Sequence, residues 1–421
     1  MKQISLKNID QTIWWDKIKN GLSVYMLPNK NVDHYYITFT TKYGSVDTEF
    51  KIDGKDYKVS DGIAHFLEHV NFNYSDNVTA NDLFKKYGSD INAYTTYDHT
   101  SYLVSSSNSF KKNLNLLLDY VQKSFFTESL IEKEKGIIVE EVRRYKNDLF
   151  NKLKFESNKA LYFNNKRNVR IVGEEEDVKG ITLDEVKLVH STFYNPSNMF
   201  VVITGNFNVK EALDVIKANQ NNKRFVEVNF EKVHRKEPVK VKERKMVIKE
   251  EMVNIPKAIV SYKMSRGLFK DYDDEELDNY FYIILNNNFS SNSKLYEELK
   301  EKKMISRMGA SATIYDDVVI INITIESERI NEVISIIESK MKELEMDEAG
   351  LVRKRRVNIA NLINQYDDVE YINLDIIRSL VRYNKIYDNL YEIYNSANLK
   401  KAKDVIRKMN LDNESVVIME R

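Results

Sequence analysis

The stretch that decides the fold is residues 61–69, which read Asp-Gly-Ile-Ala-His-Phe-Leu-Glu-His. Apolar side chains dominate this stretch and continue beyond it, so the pattern predicts a largely buried helix from Gly62 to Phe72. Asp61 stands where an N-cap is expected, because its side chain can accept a hydrogen bond from a free amide of the first turn. The chemistry of this helix then depends on its few polar side chains.

His65 and His69 are four residues apart, which puts both imidazoles on one face of a helix, one turn apart. Glu68 lies beside that face, where a carboxylate can act on a metal-bound water without binding the metal itself. This is the inverted form of the His-Glu-x-x-His zinc site. Two imidazoles and a carboxylate are costly to bury in an apolar helix without a partner, and a zinc ion is the simplest partner.

Composition limits what this metal site can be. The 421 residues include no cysteine, so thiolate zinc sites, iron–sulfur clusters and disulfides are excluded, and zinc must use His and carboxylate ligands. Lys+Arg and Asp+Glu both number 64, and this balance argues against a nucleic-acid partner. Apolar runs are too short for a signal peptide or a membrane span, so we expect a cytoplasmic protein.

A third protein ligand is expected to be a carboxylate from another helix, predicted at residues 128–147. Glu134 and Glu141 are seven residues apart there and share one face. Glu140 neighbours that face, and physical reasoning alone does not choose among these three glutamates. The other interpretation is a solvated helix face with Glu–Lys pairs, which suits Glu132.

The chain reads as two similar halves. In the first half we predict strands at 22–27, 35–40, 91–97, 100–106 and 199–204, and helices at 62–72, 79–87, 110–126, 128–147 (continuing toward 160) and 209–220. In the second half we predict strands at 259–264, 310–315, 318–326 and 415–419, and helices at 274–287, 294–302, 330–345 and 348–366. Residues 223–245 are charged and are interpreted as a linker between domains at 1–222 and 246–421. The repeated order of elements predicts a duplicated α+β domain.

Several motifs together resemble the pitrilysin-type (M16) metallopeptidases, the family that includes insulin-degrading enzyme and the mitochondrial processing peptidase. They lie at residues 20–22, 42–45, 61–69, 88–95, 134–141 and 194–199. The motif at residues 61–69, which contains both histidines and Glu68, is the most specific of these. The similarity extends over nearly the whole chain, and the length suits the short two-domain bacterial subfamily. The resemblance implies two α+β domains, each a mostly antiparallel sheet with helices on one face.

The resemblance also implies a role for each motif residue. His65, His69 and Glu141 would bind one Zn²⁺ per chain, with Glu68 as the catalytic base. Glu134 would be a second carboxylate, hydrogen-bonded toward a ligand histidine. The segment that resembles the substrate-binding edge strand, to which a peptide adds as a further strand, consists of Asn92, Ala93, Tyr94 and Thr95.

One departure from the family pattern bears on partners. Members that complete the active site carry an Arg and a Tyr seven residues apart in the later half, and here those positions hold Lys300 and Arg307. A phenol that could stabilise the oxyanion is therefore missing from its expected position. We interpret this as the zinc-bearing half of a heterodimer, in which a second M16-like chain supplies the Arg/Tyr pair and closes a clam-shell chamber. A homodimer, or replacement of the pair by Lys300 and Arg307, is the less favoured interpretation.

The function predicted from these features is a zinc metalloendopeptidase of the inverted type that hydrolyses peptides, or leader and precursor segments, inside a closed chamber. A non-catalytic zinc-binding assembly subunit is the first alternative, although the motif residues are all present. A binding module with a coincidental histidine pair is the second. No nucleic acid or membrane is expected as a partner.

Overall fold

The computed structural model describes residues 1–123, 125–315 and 317–421, which form two compact units. The first unit contains Met1–Arg144, Arg170–His234 and Ile363–Asn389. The second contains Tyr145–Val169, Arg235–Leu362 and Leu390–Arg421. Each half of the chain thus contributes one segment to the unit that the other half mainly builds. The continuous division expected from the sequence does not include this exchange of segments.

The first half of the chain contains twelve strands and eight helices within the described residues. The strands are β1 (Lys2–Leu6), β2 (Gln11–Lys17), β3 (Ser23–Pro28), β4 (Tyr35–Thr41), β5 (Glu49–Ile52), β6 (Lys55–Lys58), β7 (Asn73–Ser75), β8 (Val78–Thr79), β9 (Asp90–Thr95), β10 (Thr100–Ser106), β11 (Met199–Gly205) and β12 (Phe230–Lys232). The helices are α1 (Ile63–Asn71), α2 (Ala80–Lys85), α3 (Phe110–Gln122), α4 (Glu128–Asn147), α5 (Leu149–Leu161), α6 (Glu175–Gly180), α7 (Leu183–Phe193) and α8 (Val209–Asn221).

The second half repeats this plan in a simpler form. Its strands are β13 (Lys245–Lys249), β14 (Lys257–Ser265), β15 (Arg307–Tyr315), β16 (Val318–Glu326) and β17 (Glu414–Glu420). Its helices are α9 (Asp274–Phe289), α10 (Lys294–Glu301), α11 (Ile330–Lys342), α12 (Glu348–Gln365), α13 (Val369–Tyr383), α14 (Leu390–Asn395) and α15 (Leu399–Lys408). Within the described residues, none of the helices combines the length and apolar character needed to cross a membrane.

The sheet topology confirms the predicted duplication. The large sheet of the first unit has the order β1-β2-β3-β11-β4-β10-β9, and that of the second has the order β13-β17-β14-β16-β15. Numbered by chain position, the five strands common to both follow the same order, 1-5-2-4-3. In each sheet the first and fifth strands are parallel and the other neighbours are antiparallel. The mostly antiparallel α+β fold is therefore as expected.

Both faces of the first sheet are covered by helices. Alternation along β4 sends Ile37 and Phe39 into the main core, which α1 and α3 cover. Thr38 points to the opposite face, where α13 packs. There the amide of Asn373 donates to the carbonyl of Tyr36 at 3.2 Å and accepts a hydrogen bond from the Thr38 hydroxyl at 2.7 Å. The structure thus adds a single helix to the face that was expected to be uncovered.

In the second unit, α5 packs on the sheet as α13 does in the first. Leu153 and Ala160 of α5 pack against Ile259 of β14 and against β17, on the face away from the main core of that unit. At the end of α5, the ammonium of the fully buried Lys263 donates to the carbonyl of Leu161 at 2.7 Å. The same ammonium is paired with a buried carboxylate of the linker segment, so its charge is compensated.

The predicted helix at 128–147 has the same bounds in the structure, but it does not continue toward residue 160. Asp148 interrupts it with an extended conformation, and its carboxylate accepts from the backbone amide of Asn151 at 2.7 Å. Asp148 is therefore the N-cap of a new helix, α5. The boundary between the two units lies close to this break, between Arg144 and Tyr145 in the last turn of α4.

Candidate metal centre

Helix α1 begins at a glycine that no other residue could replace without strain. Gly62 occupies the N-cap position with φ of 85° and makes no side-chain capping bond, so the predicted N-cap at Asp61 is wrong. A Cβ atom at Gly62 would lie 2.7 Å from the carbonyl oxygen of Val172. The left-handed conformation and the close approach of another backbone segment both require glycine here. This contact lies at the start of α1, one turn before His65.

The polar residues of α1 are buried with the apolar ones. Phe66 and Leu67 are fully buried in the main core, while His65 and Glu68 are only 8% and 7% exposed. Apolar packing therefore holds the helix, and the imidazole and carboxylate are carried into a region with little water. A buried polar group of this kind needs a partner, yet Nδ1 of His65 has no hydrogen-bond partner.

Helix α4 brings two carboxylates to the histidines. Oε2 of Glu141 lies 3.3 Å from Nε2 of His69 and 3.9 Å from Nε2 of His65. Oε2 of Glu134 lies 3.7 Å from the other ring nitrogen of His69, Nδ1. Glu140 points elsewhere, since it is exposed and paired with an arginine one turn further along α4. Among the three glutamates that physical reasoning left open, an oxygen of Glu141 approaches both histidines, and Glu141 is the residue that the resemblance pointed to.

The donor set fits a zinc ion. Ligands bound at about 2.0–2.1 Å to a tetrahedral zinc lie about 3.3 Å from one another, and the Glu141–His69 separation is 3.3 Å. One nitrogen from each of His65 and His69 and one oxygen of Glu141 all lie within 4.8 Å of one another. In the described part of the chain, no other group of three His, Asp or Glu side chains meets this spacing. Three protein ligands leave a fourth position open, as catalytic zinc sites do.

The two imidazoles have opposite protonation tendencies. Burial, with the neighbouring His69, lowers the pKa of His65 to about 4, so its imidazole is neutral near pH 7. Burial also acts to lower the pKa of His69, but hydrogen bonds with Glu134 and Glu141 outweigh it and raise that pKa to about 9. The hydrogen bond with His69 in turn lowers the pKa of Glu141. The carboxylates thus supply the negative charge that a cation at this position requires.

Glu68 has a different environment from Glu134 and Glu141. Burial raises the pKa of its carboxyl group above the ordinary value, against the effect of one hydrogen bond. That bond comes from the hydroxyl of Thr95, which donates to Oε2 of Glu68 at 2.6 Å. A buried carboxylate with a raised pKa is suited to taking up and releasing a proton.

The predicted edge strand is indeed at an edge, since β9 ends the sheet order and pairs only with β10 in the described sheet. Its residues alternate. Asn92 is exposed, Tyr94 makes an edge-to-face contact with His99, and Ala93 packs against the core. Thr95 is on the inner side with Ala93 and reaches Glu68. The sequence grouped Thr95 with substrate-binding residues and missed this bond, although the alternation along the strand was a usable signal.

Lys300 and Arg307 both lie in the second unit. Lys300 is in the last turn of α10, and its ammonium donates to the carbonyl of Ser306 at 3.1 Å. Arg307 is the first residue of β15 and is exposed. Neither residue belongs to the compact unit that contains His65 and His69.

Fold and site together define an α+β protein of duplicated domains, the first of which contains a His/His/Glu group that could hold a metal ion. Residues 54–172 match the family described as insulinase (peptidase family M16), and residues 180–358 match the peptidase M16 inactive domain. The chain therefore belongs to the M16 family of peptidases, as the sequence motifs indicated.

Individual relatives agree with this assignment. The chain is 36% identical over 312 residues to YmfH, an uncharacterized zinc protease of Bacillus subtilis, covering 72% of each protein. It is 25% identical over 416 residues to the zinc protease PqqE of Helicobacter pylori, covering 93% of this chain and 88% of that one. The crystal structure of an M16-like peptidase from Alicyclobacillus acidocaldarius is similar with a TM-score of 0.91 at 26% identity, covering 98% of this chain and 99% of that one.

Proposed function

We propose that this chain is a zinc metalloendopeptidase, the catalytic subunit of a two-chain enzyme that hydrolyses peptides or leader and precursor segments. The observation that carries the proposal is the convergence of His65, His69 and Glu141 beside a buried carboxylate, Glu68. A structural zinc site would have a closed set of four protein ligands, whereas this set has three. The names of the relatives support the same activity.

In this proposal each residue has one task. His65, His69 and Glu141 hold the metal, and Glu134 orients the ring of His69 through Nδ1. Zinc, when bound, supplies Lewis-acid polarisation of the scissile carbonyl and acidifies water. Oε of Glu68 accepts a proton from the attacking water and later delivers it to the nitrogen of the leaving amine. The raised pKa of Glu68 supports both transfers, because the group must be able to hold the proton between them.

The proposed substrate site is the free edge of β9. A peptide in extended conformation would add to this edge through backbone hydrogen bonds, a mode that accepts many side chains. β9 ends at Thr95, whose side chain touches Glu68, so a strand added there would run past the proposed base. The likeness to the M16 edge strand supports the same placement.

Glu68→Gln tests the catalytic role. The amide keeps the size of the side chain and cannot accept the proton, so peptide hydrolysis should fall by at least about 100-fold. Zinc content should stay at one ion per chain, measured by atomic emission on the purified chain. Full peptidase activity in the variant would contradict the mechanism, and a parent chain that binds zinc but cleaves no peptide with its partner present would favour the non-catalytic assembly subunit.

A partner chain is the second part of the proposal. Lys300 and Arg307 stand where the family pattern has Arg and Tyr, so this chain lacks the phenol that would donate to the oxyanion. We infer that a second M16-like chain supplies that pair. The direct test compares hydrolysis by this chain alone, by the double variant Lys300→Arg with Arg307→Tyr, and by the parent chain with candidate partners. Equal activity of the parent chain alone and with every partner would contradict the inference.

A further inference from the structure

The side chain of Thr95 links two parts of the site that the sequence treats separately. Thr95 is the last residue of β9, and its hydroxyl lies 2.6 Å from Oε2 of Glu68 and 3.4 Å from the hydroxyl of Thr100. A hydroxyl group has a single proton to donate, and a carboxylate is the stronger acceptor of the two. The proton is therefore directed to Glu68, in a place where that carboxylate has little access to water.

We propose that Thr95 is a positioning residue that holds the carboxylate of Glu68 in one orientation. The inference rests on the proposed function, in which Glu68 is the base. A glutamate side chain has three rotatable bonds, and a base acts only within hydrogen-bond reach of the proton that it takes. The apolar neighbours in α1 fix the backbone of Glu68, whereas the bond from Thr95 fixes the far end of the side chain.

The strand that carries Thr95 is itself held at both ends. At its start, the amide of Asn113 donates to the hydroxyl of Ser89 at 2.7 Å, just before β9. At its end, the hydroxyl of Thr96 accepts hydrogen bonds from the backbone amides of Asp98 at 3.2 Å and His99 at 3.1 Å. These bonds set the turn between β9 and β10. Thr95 consequently projects from a fixed scaffold, which is what a residue that positions another must do.

The arrangement has a consequence for catalysis. The strand proposed to bind the substrate backbone also holds the base, so one rigid element places both reactants. A substrate added to the edge of β9 and the carboxylate of Glu68 then share one frame, and small displacements of that carboxylate alter the rate more than the binding. The loss of the Thr95 hydroxyl should therefore lower kcat and leave KM nearly unchanged.

Two substitutions separate the hydroxyl from the shape of the side chain. Thr95→Val removes the hydroxyl and keeps the branched shape, and Thr95→Ser keeps the hydroxyl. The matched control is Thr40→Val, because Thr40 is buried in the same sheet and its hydroxyl is 2.7 Å from that of Ser101, with no contact to Glu68. All three variants and the parent chain are assayed with zinc and with the partner chain where one is required.

We expect Thr95→Val to lower kcat about 10–100-fold with KM changed less than about twofold, since misplacing a general base removes part of its contribution. Thr95→Ser should stay within about threefold of the parent, and Thr40→Val should not lower kcat. Zinc content should be equal in all four proteins. An unchanged kcat in Thr95→Val, or an equal loss in Thr95→Ser, would overturn the proposal.

A second experiment tests the bond between Thr95 and Glu68 even if the proposed peptidase function is wrong. If the parent chain cleaves no peptide, the hydrogen bond between Thr95 and Glu68 is tested by stability in the zinc-free protein. The urea midpoints of Thr95→Val, Glu68→Ala and the double variant are compared with that of the parent chain. The double variant should unfold at a higher urea concentration than additive effects predict, because each single variant leaves one buried partner unpaired. Strict additivity would overturn the positioning role independently of any activity.

Discussion

At the scale of single residues, Glu134 and Glu140 lie on the same helix and have opposite surroundings. Glu134 is buried and within 3.7 Å of Nδ1 of His69, whereas Glu140 is exposed and paired with Arg143. The ring of a metal-binding histidine is commonly held by a carboxylate on its second nitrogen. The contrast between these two glutamates allows a matched experiment on the metal site.

Glu134→Gln should weaken zinc binding by about 10–100-fold, because the ring of His69 loses the carboxylate that orients it and increases its basicity. Glu140→Gln is the control and should leave zinc affinity unchanged. Competition with a chromophoric chelator measures both affinities. Equal affinities in the two variants would show that Glu134 has no part in the centre.

The buried imidazole of His190 should make the free energy of unfolding depend on pH. Burial lowers the pKa of its imidazole to about 4, against the opposing effect of a hydrogen bond to the carbonyl of Val121. The neutral ring stacks on Tyr194 at a centroid distance of 4.8 Å. Because the unfolded chain binds this proton near pH 6.5 and the folded chain only near pH 4, the contribution of His190 to stability is full above about 6.5 and is lost as the pH falls toward 4.

His190→Gln should therefore flatten the decline of the unfolding free energy between pH 6.5 and 4. Glutamine can still donate to the carbonyl of Val121 but does not titrate, and a full proton is worth about 1.4 kcal/mol per pH unit. Urea unfolding at a series of pH values measures the effect. Above pH 7 the variant and the parent should have parallel profiles, and an unchanged slope below pH 6.5 would contradict the assignment.

At the scale of elements, the start of α1 is set by backbone contact. Gly62 has φ of 85° and faces the carbonyl of Val172, and Gly173 approaches the Asp61 carbonyl in the same place. Gly54, in the β5–β6 turn, has a similar φ of 79° but open space around its Cα. Gly62 and Gly54 share a positive φ and differ in packing. Comparing alanine variants of the two therefore isolates the effect of the contact between Gly62 and Val172.

Gly62→Ala should destabilise the fold by at least about 2 kcal/mol more than Gly54→Ala, since both replacements strain φ and only the first meets a backbone atom at 2.7 Å. Zinc affinity should fall in Gly62→Ala as α1 shifts. Urea unfolding and zinc competition test both expectations. Similar losses of stability in the two variants would mean that the positive φ alone, and not the contact with Val172, requires glycine at position 62.

At the scale of the whole molecule, the two halves of the sequence do not correspond to the two compact units. α13, from the second half, covers one face of the first sheet, and Asn373 bonds there to Tyr36 and Thr38. α5, from the first half, covers the second sheet. A fragment of residues 1–222 therefore lacks α13, which packs on one face of the first sheet. It also contains α5 without the second sheet, against which α5 packs.

We expect the fragment 1–222 to lack a cooperative unfolding transition when it is produced alone. Without α13, the sheet face that includes the buried residues Thr38, Val202 and Thr204 would be exposed to water and would lose its packing and its hydrogen bonds to Asn373. Co-production with residues 223–421 supplies α13 and should restore the transition, as followed by near-ultraviolet circular dichroism. Cooperative unfolding of the isolated fragment would show that the exchanged segments are dispensable.

The sequence by itself determined the features that depend on neighbours along the chain. The spacing of His65, Glu68 and His69 needs only helix geometry, and the bounds of α4 at residues 128–147 follow from local periodicity. Lys300 and Arg307 are visible without a structure, because the departure lies in residue identity. The predicted cytoplasmic location and the peptide substrate remain predictions.

The tertiary structure alone decided which distant groups meet. Physical reasoning from the sequence left Glu134, Glu140 and Glu141 open, and only the resemblance to the M16 family pointed to Glu141; the structure shows its oxygen near both histidines. The bond from Thr95 to Glu68 joins an edge strand to a helix across the interior of the first unit. The exchange of α5 and α13 between the two units likewise depends on contacts between residues far apart in the chain. Apolar periodicity states that a helix face is buried and carries no information about which sheet buries it.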